Sequence, residues 1–125
     1  MTTRHHFASR VFQWAGIYGL IVLLPQYFLE GQISRDFPPA ITHPEHFYGF
    51  VGVAVAWQFA FLTIARDPVR FRPLMLPAIL EKVSFGAAAI VLFALGRITL
   101  LVLAPALVDL GLATAFTAAY RSTRT

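Results

Sequence analysis

The sequence predicts an all-α protein, an integral membrane four-helix bundle with both termini in the cytoplasm. Composition, segment length and the placement of positive charge each point there. The chain has 125 residues, 58% of them hydrophobic and only 13% charged. Water-soluble domains run at about 25% charged, so half that value indicates lipid as the solvent. The apolar residues gather into four runs, at about 11–29, 47–65, 74–95 and 98–120. Each is long enough for the ~20 residues a helix needs to cross a ~30 Å hydrocarbon core. Helices are the only open-ended solution, because an unpaired strand edge leaves backbone groups unsatisfied in lipid. The ~10-residue apolar/polar alternation of a transmembrane barrel is absent.

Basic residues set the orientation. Arg4 and Arg10 precede the first run, Arg66, Arg70 and Arg72 fill the second connection, and Arg121 and Arg124 close the chain. Lys82, just inside the third run, is expected to snorkel its ammonium to the same side along its apolar stem. Only Arg35 and Arg97 fall on the other face. The positive-inside rule then places both termini in the cytoplasm of a bacterial-type inner membrane. A net charge of +4 therefore reflects membrane flanks, and no nucleic-acid partner is expected. The single transmembrane domain spans residues 1–125, with the lipid bilayer as its first partner and a homo-oligomer or larger membrane complex as a further possibility.

The first run follows two arginines, as a signal peptide would, but "LLPQYFLEGQ" carries no small-residue cleavage site, so an uncleaved helix is expected. The longest connection, "EGQISRDFPPAITHPEH", is held extended around Pro38-Pro39. The second helix should start at Thr42 or His43, with Pro44 and Glu45 in its first turn, where a missing N–H costs nothing and a carboxylate suits the dipole. A stripe at Gly52, Ala56 and Ala60 offers close helix approach, as do Gly86 to Ala89 and Gly111 with Ala113. Pro25, Pro77 and Pro105 are candidate bends. The second connection, "RDPVRFRP", is short enough to make its flanking helices antiparallel neighbours, and Arg97 marks a tight turn between the last two.

Polar residues inside the spans nominate a site. Asp109 lies about 16 Å from either end of the fourth run, at ~1.5 Å per residue, which is near the midplane. A carboxylate there costs roughly 2.5–3.5 kcal/mol on insertion scales, so it should face the interior or carry a proton. Glu81 lies about 10 Å above Leu74, and Gln58 sits at a matching depth on the second helix. Asp109, Glu81 and Gln58 are therefore expected to converge on a ligand or proton pocket. Set against this are structural readings. A structural pair of Glu81 with Arg70, Arg72 or Lys82 stands level with a pocket role, and Gln58 serves as interhelical glue.

A second cluster, His43, Glu45 and His46, supplies weak candidates for metal ligands at the outer mouth. A solvated helix start explains "HPEH" better, since no zincin pattern and no cysteine accompany it. No Gly-rich phosphate loop, nucleophile elbow or paired-carboxylate glycosidase arrangement is present, so no catalytic residues and no cofactor are assigned.

The segments "HPEHFYGFVGVAVAWQ" and "RPLMLPAILEKVSFG" are similar to those of small bacterial four-helix membrane proteins. In size and layout the chain resembles the DoxX-like group. That resemblance implies an accessory role beside quinone-linked oxidoreductases, and carries over no ligand residue. The leading expectation is a non-enzymatic accessory or self-associating bundle. A proton-handling or small-ligand transporter centred on Asp109, Glu81 and Gln58 is the alternative, and a membrane enzyme acting on a lipid or quinone is the third.

Overall fold

The computed structural model describes residues 3–124, and among them every regular element is helical. Five α-helices follow one another: α1 Thr3–Leu23, α2 Glu30–Asp36, α3 Pro44–Arg66, α4 Met75–Ala94 and α5 Leu100–Ser122. Short 3₁₀ turns at Leu24–Phe28 and Arg72–Leu74 extend α1 and lead into α4. Four segments, His5–Phe28, Pro44–Arg66, Arg72–Ala94 and Leu100–Ser122, are long and apolar enough to cross a membrane. The first begins some six residues before the expected start, because the helix runs back through the basic leader. The side chain of Arg4 lies outside the described residues.

The prolines act as punctuation. Pro25 converts the end of α1 into a 3₁₀ turn. Pro77 sits in the first turn of α4, where no intrahelical N–H is needed, so the bend expected there has no cause. Pro105 alone interrupts a helix interior and removes one ladder bond from α5. Pro44 opens α3 with His43 as its N-cap, as its position in the sequence requires. Between α4 and α5 the chain reverses through Gly96, at φ 72. Arg97 N–H donates to Leu92 O at 2.8 Å and Gly96 N–H to Phe93 O at 3.0 Å. These two bonds satisfy the last carbonyls of α4, and only glycine adopts that φ without strain.

The outer connection is more ordered than the extended loop expected. It contains α2, whose side chains pair among themselves: Gln32 donates to Asp36 at 2.9 Å and Arg35 to Gln32 at 3.1 Å. Tyr48 Oη donates to Glu30 at 3.0 Å, and the Tyr27 and Tyr48 rings stack at 6.1 Å, tying α2 and the end of α1 onto α3.

Packing joins two antiparallel pairs, α1 with α3 and α4 with α5, along a seam between α1 and α5. Each helix buries a stripe spaced three and four residues apart: Ala8, Phe12 and Ala15 on α1, Val51, Ala54, Gln58 and Phe61 on α3. On α4 the stripe is Met75, Ala78, Lys82, Gly86 and Ala89. On α5 it includes Ala106, Ala113 and Phe116. Close approach uses Gly16 against Leu62 and Gly86 against Leu110, where an added Cβ would collide. The stripe expected at Gly52, Ala56 and Ala60 plays a smaller part. Ala56 is exposed and the other two are half-buried, so α3 meets α1 through a different face.

Phe12, Phe61 and Phe116 form the centre of the core, one ring from each of α1, α3 and α5. Phe12 stacks on Phe116 at 4.2 Å, and Phe61 meets Phe116 edge-on at 5.0 Å. Such pairs add about 0.5–1.5 kcal/mol each beyond their burial. The basic end of the bundle is closed by two long-range bonds. Ser9 Oγ donates to Ala65 O at 2.6 Å, and Arg72 Nε donates to Tyr120 O at 2.9 Å with its guanidinium 3.6 Å over the Tyr120 ring. These contacts bring the start of α1, the end of α3, the start of α4 and the end of α5 to one face.

Candidate functional site

α4 and α5 bring three charged side chains together in mid-bundle. Lys82 Nζ lies 3.3 Å from Asp109 Oδ1, to which it donates a hydrogen bond, and 3.7 Å from Glu81 Oε2. Lys82 sits about 15 Å along the span from Arg72, at ~1.5 Å per residue, so the triad is close to the middle of the apolar segment. The snorkelling expected of Lys82 does not occur. The residue is 4% exposed. Its stem lies in the small-residue stripe between Ala78 and Gly86, and its ammonium is 5.2 Å over the Phe61 ring of α3. Rotation about the helix axis decides this. Lys82 faces the core, where a carboxylate is available at the same depth, so pairing replaces the reach to headgroups. A desolvated cation over an aromatic face adds about 2 kcal/mol to that pairing.

The two carboxylates differ from the ammonium in access. Their side chains retain 21% (Glu81) and 17% (Asp109) of their surface, against 5% for Lys82. Asp109 holds the hydrogen bond. Glu81 Oε2 is buried and, at an ion-pair distance too long for a hydrogen bond, has no hydrogen-bond partner. Of the partners expected for Glu81, Lys82 is the one beside it, while Arg72 is engaged with Tyr120 and Arg70 lies over the Phe71 ring.

Gln58 does not join the triad. Its Nε2 donates to Ala54 O at 2.8 Å, one turn back on α3. Its Oε1 is buried with no partner and occupies the space left by Gly19 of α1, where a Cβ would fall on it. Two features of the site are not apparent from single residues: the central ammonium, and the glycine that makes room for the amide. The signal for Lys82 was its spacing from Ala78, Gly86 and Ala89. Asp109 lies likewise between Ala106 and Ala113, on the packing face of α5.

The second cluster lies at the opposite end. His43 Nδ1 and Glu45 Oε1 are 3.0 Å apart, and the His43 and His46 rings stack at 4.9 Å. One ligand atom from each of the three falls within 4.8 Å of the others, with all three residues exposed. Zinc holds nitrogen and oxygen ligands at about 2.0–2.2 Å, so two ligands of one ion are at most about 4.4 Å apart. The side chains would have to close up to share a metal. Glu30 is committed to Tyr48 and Asp36 to Gln32, so neither adds to this group. Compared with known proteins, the chain matches no family model, no curated protein and no solved structure.

Proposed function

We propose that this is a multi-pass protein of a bacterial-type cytoplasmic membrane, with both termini inside, whose central triad takes up and releases one proton. Orientation rests on Arg10, Arg66, Arg70, Arg72 and Arg121, which flank the end where the helix contacts gather. The proton-handling reading rests on one observation: two carboxylates share one buried ammonium. Fully ionised, the group carries a net charge of −1 in a low-dielectric surrounding, and a single proton makes it neutral. Charge left uncompensated in such a place is far costlier than a neutral, hydrogen-bonded set. Glu81 lacks the hydrogen bond that Asp109 makes to Lys82, so the exchangeable proton is assigned to the Glu81 carboxyl while Asp109 anchors Lys82. The carboxylates keep part of their surface at the outside of the bundle, whereas the ammonium is enclosed. A place in a larger membrane assembly is compatible with this, and native mass spectrometry from mild detergent separates a lone bundle from a complex.

The test is proton flux in proteoliposomes under an imposed pH gradient, paired with infrared detection of a protonated carboxyl. Wild type should carry flux and show one such band per chain. Glu81→Gln should remove the band, and both Glu81→Gln and Asp109→Asn should suppress flux. Unchanged flux in the two variants would sink the proposal.

A further inference from the structure

A second site lies on the flank of the bundle, between α1 and α5. Phe7, Trp14 and Tyr18 of α1 face Leu112 of α5 across a groove of about 680 Å³. That is the volume range of sites for small molecules and lipid-like ligands. The groove is apolar along its length and carries its charge at one end, where His6 and Arg10 close it. This is the basic end of the bundle, the level at which Ser9 meets Ala65. Arg10 is exposed and makes no hydrogen bond or ion pair among the described residues, unlike Arg72, which is tied to Tyr120. Trp14 is 64% exposed, a large amphipathic ring standing open on the groove wall.

We infer that this groove holds one anionic phospholipid, its phosphate on Arg10 and His6 and an acyl chain along the aromatic wall. The charge pattern selects the occupant. A guanidinium without an acidic partner offers several N–H donors to a phosphate, and an apolar trough beneath it fits a chain and not a second polar group. Basic pockets between membrane helices recognise anionic headgroups in this way. The far end of the groove, at Tyr18 and Val108, comes near Asp109, but the headgroup assignment rests on Arg10 and His6 at the other end and its test does not involve the triad.

Trp14 reports directly on the occupant. The chain has two tryptophans, so Trp57→Phe leaves Trp14 as the sole fluorophore. That protein is reconstituted into phosphatidylcholine vesicles containing either brominated phosphatidylglycerol or brominated phosphatidylcholine. Quenching of Trp14 should favour the anionic lipid by about fivefold, the factor expected from one well-placed basic residue. Arg10→Gln should bring the two lipids to parity. Ala115→Phe, which fills the groove and keeps the charge, should also reduce the preference. Arg66→Gln, at the same end but outside the groove, should preserve it. Equal quenching by both lipids, a preference that survives Arg10→Gln, or an equal loss in Arg66→Gln would overturn the assignment.

Discussion

Two clusters in this molecule have similar ingredients and opposite surroundings. Glu81, Lys82 and Asp109 come from two helices and meet inside the bundle. His43, Glu45 and His46 come from four consecutive positions and stand exposed at the start of α3. The local chain alone can assemble the second, and water solvates each of its members, so its short distances imply little energy. The first exists only because α4 and α5 are packed in one rotation and register. Its ammonium is buried and its carboxylates are mostly covered, so each depends on the others for compensation. The surroundings, more than the residue types, decide which cluster has weight in folding and chemistry.

The strongest way to break that contrast is to remove the cation. Lys82→Met leaves two carboxylates near the bundle centre without a counter-charge, which should destabilise the protein by about 3–5 kcal/mol. Unfolding in mixed detergent micelles measures it. Lys82→Met combined with Asp109→Asn and Glu81→Gln should recover much of the loss, because an uncharged set is tolerated where an unpaired one is not. A Lys82→Met protein as stable as wild type would mean that the carboxylates find other compensation, and the two regions would no longer differ in kind.

The helical architecture was legible in the sequence because four apolar runs of membrane-crossing length dictate four long helices. Hydrophobic length required four long helices with reversals near residues 36, 70 and 97, and the structure has them. The start of α3, expected at Thr42 or His43, falls at Pro44 with His43 as the N-cap, and Pro44 does lie in the first turn. Depth was also legible, since Glu81 and Asp109 do lie at compatible levels and meet through Lys82. Helix rotation was not, and the departures trace to it. Snorkelling was expected of Lys82 on depth and stem length, whereas the face it occupies is set by Ala78, Gly86 and Ala89. Gln58 was at the right depth but faces α1, where Gly19 admits it. Small residues at three- and four-residue spacing carry the rotation, and the stripe first picked out, at Gly52, Ala56 and Ala60, is one face away from the buried one at Val51, Ala54 and Gln58.

A smaller effect compares two glycines, one in the packed interior and one beside the exposed cluster. Gly19→Ala places a methyl group on Gln58 Oε1 and should cost about 1–3 kcal/mol, the usual range for overpacking. Gly49, one turn after His46, has nothing within 4 Å of an added Cβ. Gly49→Ala should therefore be neutral or stabilising by up to about 1 kcal/mol, since alanine restricts the unfolded chain and suits a helix. The two substitutions are chemically identical, so a difference between their unfolding midpoints reports surroundings alone. Equal effects would show that α1 and α3 can part at Gly19 without loss.

The exposed cluster should give the smallest response. His43→Ala and His46→Ala each remove one ring of a stacked, solvated pair, and Glu45→Ala removes a partner that is itself about two-thirds exposed. Surface substitutions of this kind stay within about 0.5 kcal/mol, so all three midpoints should nearly coincide with wild type. Added Zn²⁺ makes the test sharper. Ligand atoms as far apart as 4.8 Å do not form a ready coordination shell, so zinc should leave the wild-type midpoint unmoved. A zinc-dependent rise that disappears in His43→Ala and His46→Ala would show that the helix start closes around an ion. The outer cluster would then owe its geometry to a bound charge, as the inner one owes its geometry to Lys82.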